Sequence, residues 1–309
     1  MFLGLWMAIG PGFRVAAVAD APPERPATAG PIIADTAVPT PPGQLIIQPF
    51  WSLGLVAGNF SPSWRRGSAG GNLRSFQMPI KITYGLFQDL EIYGQMGFIH
   101  NWANQVQDSG APGQHAANFS GVSDLALVLK YQLIEETTWR PTVTTFWNLD
   151  LPTGHHFRAN PSRLGIDVLG GGAYVFTGGF NLSKWLGPVY LYSNLWYSIS
   201  SREHGNSPRL LASPLMGPVL SRDVITWNMA AEWPLSGKWV ALLEFYNSWE
   251  TSSLFHRPQQ PPSILMGVLP GIEYVFNPRW SCELGVAIDL AGKNSLYSYT
   301  PIFSVIMSY

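Results

Sequence analysis

The chain has 309 residues, a net charge of −1 at pH 7 and 12% charged residues, which is about half the proportion in ordinary globular domains. The balanced charge gives no support to nucleic-acid binding, and the one cysteine, Cys282, excludes an intramolecular disulfide framework and a multi-cysteine zinc site. Aromatic residues make up 13% of the chain, yet no run of about 18 apolar residues could span a membrane as a helix. This combination is typical of a membrane β-barrel, which spreads its apolar residues over alternating strands.

The first 43 residues precede the first predicted strand. An apolar run over 2–9, followed by small residues around Ala19, predicts a signal peptide over 1–21, although no basic residue precedes the run. Residues 22–43 are rich in proline and alanine and have no apolar period, which predicts a disordered N-terminal tail. An outer-membrane β-barrel is predicted over 44–309.

Twelve segments from residue 44 onward alternate between apolar and polar side chains. Because consecutive residues of a strand point to opposite faces, each segment predicts a strand. The even number predicts an all-β fold, a twelve-stranded antiparallel transmembrane β-barrel. The segments are about 44–57, 73–84, 89–100, 121–133, 139–151, 164–176, 187–199, 223–233, 238–249, 264–276, 280–290 and 297–309.

The connections between these segments alternate in length. Short ones, such as 85–88 and 234–237, alternate with long ones, such as 101–120 and 200–222. Outer-membrane barrels have short periplasmic turns and longer outer loops, so with both ends periplasmic every long connection lies outside. A soluble sandwich, the alternative architecture, gives no reason for this parity.

The segment over 238–249 illustrates the two faces of the wall. Trp239 and Trp249 share one row, and at about 3.3 Å per residue and about 40° of tilt they lie about 25 Å apart along the membrane normal. This is the height of the apolar band, so both indoles are expected at its interfacial girdles. Glu244 falls on the opposite row, since a charge that faces lipid near mid-bilayer is destabilising.

The inward rows predict the lining of the lumen. They carry more acidic than basic side chains, together with large aromatic groups, which suits a narrow passage for aromatic or amphipathic molecules with a mild cation preference. The alternative is a network of paired charges and packed rings that braces the wall. Asp167 is also predicted to lie on an inward row. The other residues predicted to line the lumen are Lys81, Glu91, Tyr93, Asp124, Lys130, Arg140, Asp150, Tyr190, Trp196, Glu232, Glu244, Tyr246, Glu273, Glu283 and Asp289.

The segment over 297–309 contains no charged side chain and ends on Tyr309. Tyr309 falls on the lipid-facing row of this segment. A final strand that ends in an aromatic residue resembles the insertion signal of bacterial outer-membrane barrels. Tyr309 is therefore predicted to be the assembly signal, and the outer-membrane assembly machinery is predicted to be a partner.

Short motifs stand at the ends of several predicted strands. They are Asp35-Thr36-Ala37 with Thr40-Pro41-Pro42-Gly43, Thr83-Tyr84-Gly85-Leu86, Gly121-Val122-Ser123-Asp124-Leu125 and Asp150-Leu151-Pro152-Thr153-Gly154. In this order and placement they resemble the outer-membrane barrel family named for the meta-pathway of phenol degradation. The resemblance covers about 35–309 and implies a barrel that admits aromatic or other hydrophobic compounds. It brings no catalytic residues.

No nucleotide-binding, hydrolase or metalloprotease motif occurs, and His204 with Ser207 lacks an orienting acid. We therefore expect no catalytic residue, no metal ligand, no cofactor and no enzymatic activity. The expected function is a bacterial outer-membrane channel that takes up small aromatic or hydrophobic molecules by passive diffusion. The alternatives are a lipase-like barrel enzyme and a structural barrel with an occluded lumen. Expected partners are the lipid bilayer, lipopolysaccharide and a small-molecule solute, with no nucleic acid.

Overall fold

The computed structural model describes residues 28–107, 113–156, 160–201, 223–251 and 261–309. These ranges contain one short 3-10 turn, Pro161–Arg163, and no helix in them is long and apolar enough to cross a membrane. The strands are β1 (Leu45–Phe60), β2 (Arg66–Gly67), β3 (Asn72–Phe87), β4 (Leu90–Asn104), β5 (Ala117–Val122), β6 (Leu125–Ile134), β7 (Thr142–Leu151), β8 (Val175–Trp185), β9 (Tyr190–Ser200), β10 (Val224–Pro234), β11 (Trp239–Glu250), β12 (Ile264–Asn277), β13 (Trp280–Lys293) and β14 (Ser295–Ser308).

The strands form one antiparallel sheet that closes on itself, because β14 pairs with β1. β5 and β6 are two parts of one crossing, since both pair with β4, and β2 is a two-residue extension beside β1. The wall therefore has twelve strands, and the predicted twelve-stranded antiparallel barrel is confirmed. Closure pairs β1 with β14, so neither of these strands is left as an open edge, as a barrel in lipid requires.

The barrel has two different rims. The short connections 88–89 and 278–279 lie at one rim, which we call the short-turn rim. The start of β1 and the end of β14 also lie at this rim, where Leu45 and Tyr309 exchange backbone hydrogen bonds of 3.1 and 2.8 Å. The long connections, including 152–174, lie at the opposite rim, which we call the loop rim.

The outward rows are apolar and exposed. Trp239 and Trp249 both lie exposed on the outer face of β11, whereas Glu244 between them is 1% exposed and points inward. The same parity holds along β13, where Leu284 is exposed outward and Glu283 is buried inward. The barrel therefore presents an apolar belt to its surroundings and collects its charges inside, as the pattern predicted.

The sixth strand crossing differs from the prediction. It is formed by β8, which begins at Val175, and not by residues 164–176. The described residues of the connection between β7 and β8, 152–156 and 160–174, pack inside the barrel, and we call them the folded loop. Asp167 therefore lies outside the strands and accepts a hydrogen bond from the Asn160 N–H (2.8 Å).

A contact inside the barrel explains why residues 164–176 resemble a strand in the sequence. Leu164 and Ile166 of the folded loop are 2% and 6% exposed and pack against Leu73 and Ala103 of the wall. Alternate residues are therefore apolar because they cover the inner wall at the loop rim, where they have no contact with lipid. Periodicity alone cannot separate these two reasons for burial.

Arg140 also lies elsewhere than predicted. β7 begins at Thr142, so Arg140 belongs to the connection 135–141 at the short-turn rim, where it is exposed. Hydrogen bonds within this connection hold it there, since Thr137 N–H donates to the Arg140 carbonyl (3.0 Å) and the Thr137 hydroxyl accepts from the Arg140 N–H (3.2 Å). Arg140 is thus not part of the lumen wall.

Candidate functional site in the barrel lumen

Residues 28–43, which we call the N-terminal segment, pass through the lumen near the short-turn rim. Ala37 of this segment is fully buried, and its N–H donates to the Ser183 hydroxyl (2.8 Å). The Thr40 N–H donates to the Glu91 carboxylate (2.6 Å). The prediction of a disordered tail is therefore wrong for residues 28–43, because the inner wall supplies acceptors for a segment that has no secondary structure of its own.

Glu244 on β11 binds the middle of the N-terminal segment. Its carboxylate accepts hydrogen bonds from the backbone N–H groups of Ile32 (2.7 Å), Ile33 (3.0 Å) and Ala34 (2.7 Å). Successive backbone N–H groups that converge on one carboxylate form an anion-binding concavity. A charged acceptor strengthens each bond, so Glu244 is a principal anchor of the segment.

Glu232 and Glu273 bind its beginning. The Thr28 hydroxyl lies 2.8 Å from a Glu232 oxygen and 2.9 Å from a Glu273 oxygen, and its single hydrogen can serve one of them at a time. The Ala29 N–H donates to the other Glu273 oxygen (3.0 Å), and the Tyr192 hydroxyl donates to Glu232 (2.8 Å). Three predicted lumen carboxylates, on β10, β11 and β12, therefore contact one segment.

Asp35 of the N-terminal segment joins a buried charge network. Its carboxylate lies 3.4 Å from the ammonium of Lys130 and 3.9 Å from that of Lys81, and it accepts a hydrogen bond from the Asn181 amide (3.2 Å). Lys130 is 1% exposed and also pairs with Glu91 at 2.7 Å. Pairing and hydrogen bonds offset the cost of desolvating these charges.

Other predicted lumen residues brace the wall itself. Glu283 accepts from the Ser304 hydroxyl (2.6 Å), Asp150 accepts from the Asn148 amide (3.0 Å), and Asp289 accepts from the Tyr246 hydroxyl (2.8 Å). Tyr190 is buried in a cluster with Tyr192 and with Ala34 of the N-terminal segment.

Across the ranges that the structure describes, no group of three or more His, Cys, Asp or Glu side chains is arranged to hold a metal ion.

Asp124 fastens the folded loop to the wall. It lies at the interruption between β5 and β6, where its two carboxylate oxygens accept from the N–H groups of Gly154 (2.8 Å) and Gly171 (2.7 Å). A Cβ added at Gly170 would overlap this carboxylate, so the loop can approach so closely only with glycine there. Two of the sequence motifs, which contain Asp124 and Gly154, meet in this latch.

The folded loop narrows the lumen at the loop rim. The Asn101 amide of β4 donates to the Ile166 carbonyl (3.1 Å), beside the apolar contacts of Leu164 and Ile166 with the inner wall. His156 in the same loop is 1% exposed, and its burial lowers the pKa of the imidazole below the usual value. Burial therefore favours the neutral form of this imidazole.

An internal cavity of about 420 Å³ lies against the N-terminal segment and is lined by Lys81, Tyr93, Phe146 and Trp196. We call it the lumen cavity. The Phe146 and Trp196 rings stack with centroids 5.0 Å apart, and the Lys81 ammonium lies 4.2 Å from the centroid of the Tyr93 ring. Aromatic walls with a few polar groups are typical of sites for small molecules.

Sequence reasoning missed the residues of β8 that hold the N-terminal segment. Asn181 and Ser183 lie on β8 and are 0% and 1% exposed, but the prediction placed a turn over 177–186. The signal was present, because Thr177, Asn181 and Ser183 are polar at even spacing and Phe180 and Leu182 are apolar between them. The predicted signal peptide over 1–21, and His204 with Ser207, lie outside the described residues.

No protein-family model matches the chain, and no curated protein sequence matches it. Among solved structures, an outer-membrane channel from Pseudomonas putida F1 is similar, with a TM-score of 0.67 and 14% identity over 91% of this chain and 100% of that chain. The NanC porin covers 85% of this chain and 98% of its own at 8% identity, with a TM-score of 0.48. The toluene transporter of Ralstonia pickettii covers 87% and 90% at 9% identity, with a TM-score of 0.43.

The first of these similarities shows a shared fold. The chain is a closed twelve-strand barrel of the kind found in bacterial outer-membrane channels. Its exposed apolar outer rows and its inward charges match a barrel wall in lipid. The protein therefore belongs in the bacterial outer membrane, as the sequence predicted. The resemblance to the family named for phenol degradation remains a prediction, because no family model matches.

Proposed function

We propose that the protein is a passive outer-membrane channel for small aromatic or hydrophobic molecules. The lumen cavity carries this proposal, since it lies inside a closed barrel and combines the stacked Phe146 and Trp196 rings with polar side chains. Twelve strands give a bore wider than that of filled eight-stranded barrels and narrower than that of porins with 16–18 strands. Such a bore suits the passage of single small molecules.

The similar solved structures are compatible with this proposal at the level of the fold. The protein from Pseudomonas putida F1 is described as an outer-membrane channel. At 14% identity this similarity says nothing about the solute. The preference for aromatic solutes rests on the lining of the lumen cavity and on the motif resemblance.

A structural barrel with an occluded lumen is the second candidate function. It is favoured by one observation, namely that the N-terminal segment lies inside the barrel and bonds to the wall through Glu91, Glu244 and Glu273. A channel is compatible with this arrangement if solute passes beside the N-terminal segment or if the segment moves out of the lumen. The cavity between the segment and the aromatic wall favours the channel.

The remaining expectations complete the proposal. We propose that the outer-membrane assembly machinery inserts the barrel, that lipid and lipopolysaccharide surround it, and that the protein has no enzymatic activity. The mild cation preference expected from the inward carboxylates also stays a prediction. Glu244 and Glu273 use their oxygens to hold the N-terminal segment, so the preference depends on whether the segment is in place.

Solute flux into proteoliposomes tests the channel against both alternatives. Free phenylalanine is a suitable aromatic probe because its zwitterion crosses lipid slowly. We expect its entry into liposomes that contain the folded protein to exceed entry into liposomes with heat-denatured protein. Equal entry into both preparations would favour the occluded barrel. Release of nitrophenol from a nitrophenyl ester, without phenylalanine entry, would favour the enzyme.

A further inference from the structure

The lumen cavity has an aromatic side whose orientation is fixed. Phe146 on β7 and Trp196 on β9 stack with an interplanar angle of 19°, and the Trp196 indole N–H donates to the Asn181 side chain (2.7 Å). Phe146 is 5% exposed. A flat ring that enters the cavity therefore meets a preformed aromatic surface, and offset or edge-on packing of rings is favourable.

A second part of the cavity lining is a row of side chains that carry hydrogen-bond donors. Gln48 on β1, Lys81 on β3 and Gln95 on β4 are direct cross-strand neighbours, and all three line the cavity. Neighbours in such a row have Cβ atoms about 4.5–5.5 Å apart. Two side-chain amides therefore flank one ammonium group.

Lys81 has one ion pair, with Asp35, and this pair is long. The Lys81 ammonium is 3.9 Å from the Asp35 carboxylate, which also lines the cavity. This is beyond hydrogen-bond distance, and Asp35 has closer partners in Lys130 and Asn181. Within the described part of the chain, Lys81 makes no hydrogen bond through its ammonium and lies over the Tyr93 ring. An ammonium whose N–H groups are not hydrogen-bonded to the described residues thus faces a cavity that has an aromatic wall.

We propose that the lumen cavity binds small aromatic carboxylates, and that Lys81 selects the carboxylate; this inference rests on the proposed channel function. The carboxylate accepts hydrogen bonds from Lys81 and from the flanking Gln48 or Gln95 amide. The ring packs towards Phe146 and Trp196. The volume of about 420 Å³ lies within the range of about 300–1,000 Å³ that is usual for small-molecule sites. An aromatic hydrocarbon of the same ring size lacks the charge-assisted bond to the ammonium.

Block of the single-channel potassium chloride current by benzoate tests this site. We expect saturable block, with a half-blocking concentration about tenfold lower than that of benzyl alcohol, which lacks the charge, or of acetate, which lacks the ring. Lys81→Met should raise the half-blocking concentration of benzoate about tenfold, while Lys81→Arg retains the block. Arg140→Met is the matched control, because Arg140 is exposed in a connection outside the lumen.

Several results would overturn the inference. Equal benzoate block in wild type and Lys81→Met would remove the role of the lysine, and equal block by benzyl alcohol or by acetate would remove the carboxylate or the ring as a determinant. Equilibrium binding of radiolabelled benzoate to the purified, heat-modifiable barrel repeats the comparison without current. A barrel that conducts no ions would contradict the channel function, while loss of benzoate binding in Lys81→Met alone would still support the site.

Discussion

At the residue scale, buried carboxylates hold a segment that has no secondary structure. Glu244 accepts three backbone N–H groups, and Glu91 and Glu273 accept one each. Hydrogen bonds to charged groups typically contribute about 1.5–3 kcal/mol each. Parity along a strand could predict that Glu244 points inward. It could not predict the partner, because backbone donors carry no side-chain pattern.

A single glycine limits where the N-terminal segment enters the lumen. A Cβ added at Gly85 would overlap the carbonyl oxygens of Thr40 and Pro41, and the Gly43 N–H donates to the Gly85 carbonyl (2.8 Å). We expect Gly85→Ala to displace this part of the segment, at a cost of about 1–3 kcal/mol, which is typical of overpacking. Faster hydrogen exchange of the Ala37 and Thr40 amides would report the displacement.

Gly94→Ala is the matched control for this substitution. Gly94 lies on the neighbouring strand β4, and an added Cβ would meet no atom closer than 3.8 Å. Its exchange rates at Ala37 and Thr40 should equal those of the wild type. If Gly85→Ala also left these rates unchanged, the segment would not depend on the close approach at Gly85.

At the scale of elements, the folded loop depends on Asp124 as a latch. Asp124→Asn keeps the shape of the side chain but replaces one acceptor oxygen with an amide group, so either Gly154 or Gly171 loses its partner. We expect the amides of residues 160–174 to exchange about tenfold faster, which matches the loss of one hydrogen bond to a charged group. Asp89→Asn, in the short connection at the other rim, should leave them unchanged. Unchanged loop exchange in Asp124→Asn would show that the apolar contacts suffice.

The closing pair of strands gives a second prediction at this scale. Tyr309 exchanges two backbone hydrogen bonds with Leu45 and is 63% exposed on the outer face. Deletion of Tyr309 removes both bonds and the terminal aromatic, so we expect the heat-modifiable folded fraction on gels to fall severalfold, whereas Tyr309→Phe keeps it. Normal assembly of the deletion variant would refute the proposed assembly signal.

The strands could be predicted from the sequence where lipid is the cause of the pattern. Along β11 and β13 one row faces lipid and the other the lumen, so the exposed Leu243 and Leu284 are next to the buried carboxylates Glu244 and Glu283. Leu164 and Ile166 of the folded loop show the same two-residue spacing of apolar side chains for a different reason, namely contact with the inner wall. The sequence prediction therefore placed the sixth strand about ten residues too early. For the same reason it did not assign Asn181 and Ser183 to the inner wall.

At the scale of the whole molecule, two parts of the chain narrow the barrel lumen from opposite rims. The N-terminal segment lies near the short-turn rim, the folded loop covers part of the wall at the loop rim, and the lumen cavity adjoins the segment. Composition could indicate a barrel with a charged interior. It could not indicate this filling, because the contacts that hold the segment and the loop form only when the wall is assembled.

Single-channel conductance in planar bilayers tests the central claim, that the barrel is a channel narrowed by its own N-terminal segment, most directly. The comparison is between the intact mature protein and a variant without residues 28–41, which keeps the start of β1 and the hydrogen bond from the Gly43 N–H to the Gly85 carbonyl. We predict discrete small openings for the intact protein and conductance several-fold larger for the variant, with both proteins heat-modifiable on gels. Two folded barrels that both fail to conduct, or that conduct equally, would contradict the account.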